Sequence, residues 1–309
     1  MEIYLKGACM QPNPVLKKLG FANDDRILII HTDDIGMCQA SVDAFSDLVD
    51  FGLISSGAIM MPCPWALEAA RFARLHPAAD LGVHLTLTSE WDTYRWGPLS
   101  TRNLATGLLD SQGFFPRRSE DVQETGDPEA VELELSTQIS RAISEGVNPT
   151  HIDTHMGSVA HPKYLQIYIQ LAIQYGLPLM LPRLSEQEWI AYGGIDPATA
   201  AMAAQIILNL EEMGVPLLDG LSGLSSRDLL DRFAHLKKVL STIKPGITHF
   251  IIHPSKDTPE LRATTSTWAT RVADYQTFLS EETRSYIKQQ GFQVIGYRSL
   301  KDLISPISM

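Results

Sequence analysis

The chain contains no run of about 18 apolar residues, the minimum for a membrane-spanning helix. Its opening stretch, Met1–Leu16, carries one lysine with scattered proline and glycine, and lacks the apolar segment of a secretory signal. Cysteine is scarce. Cys9, Cys38 and Cys63 are odd in number, far apart in sequence and form no CxxC pair. That excludes a disulfide framework and is the pattern of reduced thiols in a cytoplasmic protein. Positive charge is short as well: 25 Lys and Arg stand against 36 Asp and Glu, a net charge of −11. A chain this acidic lacks the basic face that a nucleic-acid partner requires. Three motifs are also missing. No GxGxxG follows the first apolar run, and no GxxxxGK[ST] occurs. No GxSxG occurs, since Gly220-Leu221-Ser222-Gly223 misses the spacing. Dinucleotide, phosphate-loop and serine-elbow chemistry fall away together. The expected partner is a small-molecule substrate, with neither nucleic acid nor membrane involved.

What is present is a regular alternation. Apolar residues make up 44 % and charged residues 20 % of 309, the balance of an ordinary globular protein. Short Ile- and Val-rich runs read as buried strands: Arg26–Thr32, Ile54–Met61, Asp80–Leu87, Thr150–Thr154, Leu177–Leu181, Val215–Leu218, Gly246–Ile252 and Phe292–Ile295. Between them the period shifts to that of helices, over about Trp65–Leu75, Pro128–Glu145, Lys163–Gln174, Pro197–Met213, Arg227–Leu240 and Val272–Gln289. Asp127 before Pro128 is an N-cap signature, and Gly176 is a C-cap signature. Strand and helix alternating with short connections predict an α/β fold, a single-domain (β/α) barrel of about seven parallel strands. A doubly wound open sheet is the alternative. Residues 1–25 read as an N-terminal extension and 26–309 as the domain. The stretch 88–126 is a long loop insertion holding Trp91, Tyr94, Trp96, Phe114 and Phe115. It can serve as a sugar-stacking surface or pack onto the barrel, and an exposed apolar loop is also compatible with a homodimer.

In parallel α/β folds the active site forms at the carboxyl ends of the strands. The polar residues at those ends are His31, Asp33, Asp34, His84, His151, Asp153, His155, Arg183, His249 and His253. Converging imidazoles and carboxylates are what one divalent metal ion requires, with zinc or magnesium as candidates. Of the adjacent pair Asp33 and Asp34, one can bind the ion while the other acts as a base. His76, His161 and His235 read as surface residues.

At these positions the sequence resembles the YdjC-like carbohydrate deacetylases, which include chitooligosaccharide deacetylases and are related to the NodB-type polysaccharide deacetylases. The matching pieces are Thr32-Asp33-Asp34-Ile35-Gly36, Gly82-Val83-His84-Leu85-Thr86-Leu87-Thr88, Pro149-Thr150-His151-Ile152-Asp153-Thr154-His155 and Ile251-Ile252-His253-Pro254. The resemblance implies a deformed (β/α) barrel and a metal-dependent hydrolase that removes an N-acetyl group from an amino sugar. It assigns Asp34, His84 and His155 to the metal, Asp33 to the general base and His253 to the general acid. Arg183 would pair with Asp33, His151 and Asp153 would orient the ligands, and Trp91 and Trp96 would contact the sugar. Hydrolysis of a phosphoester or cyclic amide, or carbohydrate binding without turnover, remain alternatives for such a site. Two departures stand out: the family usually reads Ala-Asp-Asp-Phe-Gly where this chain has Thr32–Gly36. It also has a further His where Met156-Gly157-Ser158 follow His155.

Overall fold

The computed structural model describes residues 12–226 and 231–304. Cys9 and the predicted helical start Arg227–Leu230 lie outside these residues. Seven parallel strands form one curled sheet: β1 (Arg26–Ile35), β2 (Ser56–Ile59), β3 (Leu81–Leu85), β4 (Ile152–Thr154), β5 (Gly220–Gly223), β6 (Gly246–Ile252) and β7 (Phe292–Val294). The order is β4-β3-β2-β1-β6-β5. β1 pairs with β6 along one edge; on the other it pairs with β7 through Arg26–Leu28 and with β2 from His31 onward. Two isolated parallel bridges, Ile152 to Leu179 and Pro182 to Leu218, carry the ladder from β4 round towards β5. The result is a deformed (β/α) barrel surrounded by helices.

β1 explains how the sequence builds this. Its residues alternate between two surroundings, as a strand must. Leu28 and Ile30 face outward into a cluster with Leu236, Phe250 and Phe278. Ile27 and Ile29 face inward, beside Leu218, Ile247 and Tyr297. Fully burying each such side chain stabilises the fold by about 1.5–3 kcal/mol. Two steps further along the inward set come His31 and Asp33. The barrel interior is therefore apolar at its floor and polar towards its mouth. The short helix Pro14–Lys18 closes the floor with Val15 and Leu16, capped by Asn13.

Several predicted elements come out differently. Leu177–Leu181 and Val215–Leu218 contribute bridges and not full strands, because Pro178, Pro182 and Pro216 have no N–H to give a ladder. The sixth strand forms later, at Gly220–Gly223. The predicted helix Val272–Gln289 is two helices, Trp268–Phe278 and Glu281–Gln289. The second is started by Ser280, whose hydroxyl accepts from the Glu282 N–H. Helices at Pro14–Lys18 and Glu186–Gly193 carry too few periodic apolar residues to be read in advance. The 88–126 segment is not an exposed apolar loop. It carries the helix Ser119–Thr125 and turns Trp96, Leu108, Phe115 and Val122 inward. His235 is buried, against its surface assignment.

Candidate metal centre

The Asp pair owes its placement to an irregularity in β1. The register with β2 shifts between Thr32 and Ile35, and Asp34 adopts a left-handed conformation with φ of 61°. A regular strand would point Asp33 and Asp34 to opposite faces. The irregularity brings both carboxylates to the mouth. Gly36 continues the turn at φ 88°, with Ala66 backbone so close that a Cβ would sit 3.0 Å from it. Inside the barrel, Gly82 is required for the same reason of space: a Cβ there would lie 2.5 Å from the His151 ring.

Three side chains from three strand ends converge at the mouth. Asp34 Oδ1 lies 3.5 Å from His84 Nε2 and 3.2 Å from His155 Nδ1, and those two nitrogens are 3.3 Å apart. A tetrahedral ion with ligand distances of about 2.1 Å needs ligand atoms about 3.4 Å apart, so this triangle has the dimensions of a three-ligand face. Asp34 Oδ1 is buried without a hydrogen-bond partner, as a carboxylate oxygen reserved for a cation would be. The far side of each member is anchored. His84 Nδ1 meets Asp153 Oδ1 at 2.8 Å, and His155 Nε2 meets Glu90 Oε1 at 2.9 Å. Arg271 Nη2 holds the other Asp34 oxygen at 2.7 Å. Carboxylate–imidazole pairs of this kind fix the tautomer and ring orientation of metal-binding histidines.

The electrostatics agree with the donor set. Burial pushes the Asp34 carboxyl up, but Arg271 and then the two imidazoles overcome it and hold it well below the ordinary range. Burial depresses His155, yet Glu90 and Asp34 outweigh it and raise the imidazole to about 9. His84 is likewise raised, by Asp153 and Asp33 against its burial. Imidazoles that attract a proton this strongly in a neutral-pH protein sit in a field that attracts any cation.

Asp33 stands beside the triangle. Its Oδ2 is 3.8 Å from His84 Nε2 and 3.6 Å from His253 Nε2, and its Oδ1 is 3.3 Å from His31 Nε2. Burial raises its carboxyl to about 6, with His84 and His31 opposing. His253 is half-buried at the mouth, its backbone N–H fixed on Asp274 Oδ2 at 3.0 Å. Burial, then Arg271 and the histidines, push its imidazole below the usual histidine range, with Asp34 opposing.

Thus Asp33, Asp34, His84, Asp153, His155 and His253 lie close together. Other candidates do not. Arg183 is held by Glu211 at 2.6 Å and by Asp219 at 3.0 Å, and Asp33 has His31, His84 and His253 as its neighbours instead. His151 lies deeper in the barrel, stacked on Tyr297 at 3.9 Å and bonded to the Thr150 hydroxyl, not to a member of the triangle. Trp96 is 3 % exposed, its indole N–H donating to the Thr88 carbonyl, so it supports the loop under His155 and offers no open face. Trp91 is half-buried at the rim, 5.8 Å from the Arg271 guanidinium. Glu90 and Arg271 were not singled out in the sequence. Glu90 sits in an aperiodic loop and Arg271 on a helix more than 230 residues from Asp34. Only the polar run Thr88-Ser89-Glu90 beyond the third strand hints at the former.

Comparison with known proteins agrees with this architecture. The family model described as YdjC-like protein matches residues 27–289. A carbohydrate deacetylase of Thermus thermophilus is 31 % identical over 290 residues, covering 94 % of this chain and 99 % of its own. A carbohydrate deacetylase of Thermoanaerobacter pseudethanolicus is 24 % identical, covering 89 % of this chain and all of its own. Among solved structures, an Enterococcus faecalis V583 protein described as a cellobiose-phosphate cleavage protein superposes with a TM-score of 0.71. It is 25 % identical and covers 89 % of this chain and 99 % of its own. The chain belongs to the YdjC-like family.

Proposed function

We propose that this protein is a metal-dependent carbohydrate deacetylase that hydrolyses the N-acetyl group of an amino sugar and releases acetate. The observation that carries the reading is the donor triangle Asp34–His84–His155, with sides of 3.2 to 3.5 Å and Asp33 beside it. Membership of a family with relatives named carbohydrate deacetylases supplies the substrate class. Asp34, His84 and His155 would hold the ion, and Glu90, Asp153 and Arg271 would orient them. A divalent ion in that position supplies Lewis-acid polarisation of an acyl carbonyl and eases deprotonation of water. Two imidazoles with one carboxylate suit zinc. Asp33 Oδ2 takes the proton of the attacking water. A carboxylate near 6 is ionised at neutral pH and close enough to it to act as a base. His253, 3.6 Å from the same oxygen and neutral at that stage, receives that proton from Asp33 and passes it to the departing amine, which leaves Asp33 ionised again. The amide C–N bond breaks as the water oxygen bonds to carbon, giving acetate and the free amine.

The test is acetate release from a panel of N-acetylated mono- and oligosaccharides. Metal-stripped protein is compared with protein given back zinc, magnesium, manganese or cobalt. Release that depends on the ion supports the reading. No release from any sugar, with ions bound, overturns it and directs attention to phosphoesters and cyclic amides.

Two smaller predictions belong to the same site. Glu90→Gln removes the charge behind His155 and should weaken ion affinity about 10–100-fold, read by competition with a chelating dye. Trp91 and Trp96 should separate cleanly. Trp96→Ala empties a buried site and should cost about 3–5 kcal/mol of stability. Trp91→Ala, at the rim, should raise KM for the sugar with little change in melting temperature. A Trp91 variant with unchanged KM would remove that ring from the substrate surface.

A further inference from the structure

Below the Asp34–His84–His155 triangle, the barrel interior holds a second convergence of ligand atoms. His31 Nε2 lies 2.9 Å from Asp153 Oδ2 and 3.3 Å from Asp33 Oδ1. One ligand atom from each of His31, Asp33, Asp153 and His249 lies within 4.8 Å of those of the other three. His31, Asp153 and His249 are fully buried, and Asp33 is 9 % exposed. His31 Nε2, Asp33 Oδ1, Asp153 Oδ2 and His249 Nε2 have no hydrogen-bond partner. Even His31 Nε2 and Asp153 Oδ2, close as they are, do not align as donor and acceptor. Leaving one such buried group unsatisfied costs about 1–3 kcal/mol, and more for a charged one. Four at a single point call for a common partner.

The opposite sides of two members are already committed. Asp153 Oδ1 is bound to His84 Nδ1 at 2.8 Å, and His249 Nδ1 to the Tyr297 hydroxyl at 2.8 Å. If the Nδ1 proton goes to the Tyr297 oxygen, His249 Nε2 is left as a bare lone pair aimed into the cluster, the form in which imidazole binds metals.

We propose that His31, Asp33, Asp153 and His249 form a second, inner binding site for a divalent transition-metal ion, joined to the outer one through Asp153. Two imidazoles and two carboxylates are a donor set for zinc or manganese. Asp33 would be gripped through Oδ1 and keep Oδ2 facing the mouth, so the inner ion would fix the orientation of the proposed base. Binding itself requires no turnover, so the site goes beyond the deacetylase reading and is testable apart from it.

The experiment is ion stoichiometry by mass spectrometry of the full-length chain, equilibrated with Mn²⁺ or Zn²⁺ and freed of loose ions by dialysis. The expected result is two ions per chain in the wild type, one in His249→Gln and one in His155→Ala. Anomalous diffraction from manganese-loaded wild-type crystals should give two peaks, the inner one between His31 and His249. This measurement decides the matter even where His249→Gln does not fold, and His31→Asn provides a second variant. One ion per chain in the wild type, unchanged by His249→Gln, or a single anomalous peak, overturns the proposal. Acetate release with one bound ion would sink the inner site alone; two ions without acetate release would sink the deacetylase reading alone.

Discussion

His155→Ala should abolish acetate release and weaken outer-site ion binding by more than the roughly 100-fold expected for loss of an outer partner. His155 gives one of the three donor atoms of the triangle, and its removal leaves Asp34 Oδ1 and His84 Nε2, 3.5 Å apart, as a two-ligand remnant. The same histidine sets the pH dependence of binding. Its pKa of about 9 belongs to the metal-free fold, where Glu90 and Asp34 stabilise the imidazolium against burial. Only the neutral ring binds an ion, so ions and protons compete. Apparent affinity should climb at least tenfold per pH unit below about 9, and the variant should lose that part of the slope. Stability follows the opposite sign. A folded pKa above the ordinary 6.5 means that the protonated ring stabilises the metal-free fold fully below about 6.5. That contribution is lost as pH rises through about 9. The melting temperature of metal-free wild type should therefore decline over that window, and His155→Ala should decline less. Calorimetric titration of Zn²⁺ at several pH values checks the first point; thermal melts without metal check the second. Full activity in the variant would show that the triangle is not the reaction centre.

Much of this site was legible because its residues stand where a strand stops. Asp33 and Asp34 follow the apolar run Ile27–Ile30, and His84, Asp153 and His155 cluster at the ends of two other strands. The fold rule that active sites form at those ends turned scattered polar residues into one constellation. What was not legible depends on tertiary contact. No spacing links Arg271 to Asp34, because a helix near the end of the chain brings it there. Glu90 reaches His155 from a loop without periodicity, held down by Trp96 through the Thr88 carbonyl. The inner cluster was legible only in part: its four members stand among the polar residues at strand ends, but nothing in the sequence parts them from the outer set. His31 and His249 lie on β1 and β6. Only the parallel registry of the two strands sets their rings 4.4 Å apart. Arg183 misled because it, too, follows a strand-like segment; its guanidinium turns to Glu211 and Asp219.

Asp33→Asn should separate turnover from ion binding at the mouth. The substitution keeps size and shape and removes only the capacity to accept a proton, while Asp34, His84 and His155 keep their donor atoms. General-base catalysis contributes about 10²–10⁴-fold, so kcat should fall within that range while outer-site affinity holds. The charge of Asp33 is held in the fold at a cost, since burial raises its carboxyl to about 6 despite His84 and His31. The sign is that of a destabilising carboxylate: the metal-free native state is favoured while Asp33 is protonated, and the advantage is lost as pH rises through about 6. The asparagine does not ionise, so metal-free Asp33→Asn should melt at or above the wild-type temperature at pH 7, and the gap should close below about pH 4. Higher stability with lower turnover is the signature of a group retained for chemistry and not for folding. In the wild type, kcat/KM should fall about tenfold per pH unit once Asp33 is protonated, at or below pH 6, because a bound cation favours the ionised carboxylate. An Asp33→Asn variant with full turnover would remove Asp33 from the role of base. A variant that loses the outer ion together with activity would make Asp33 a structural support of the triangle instead.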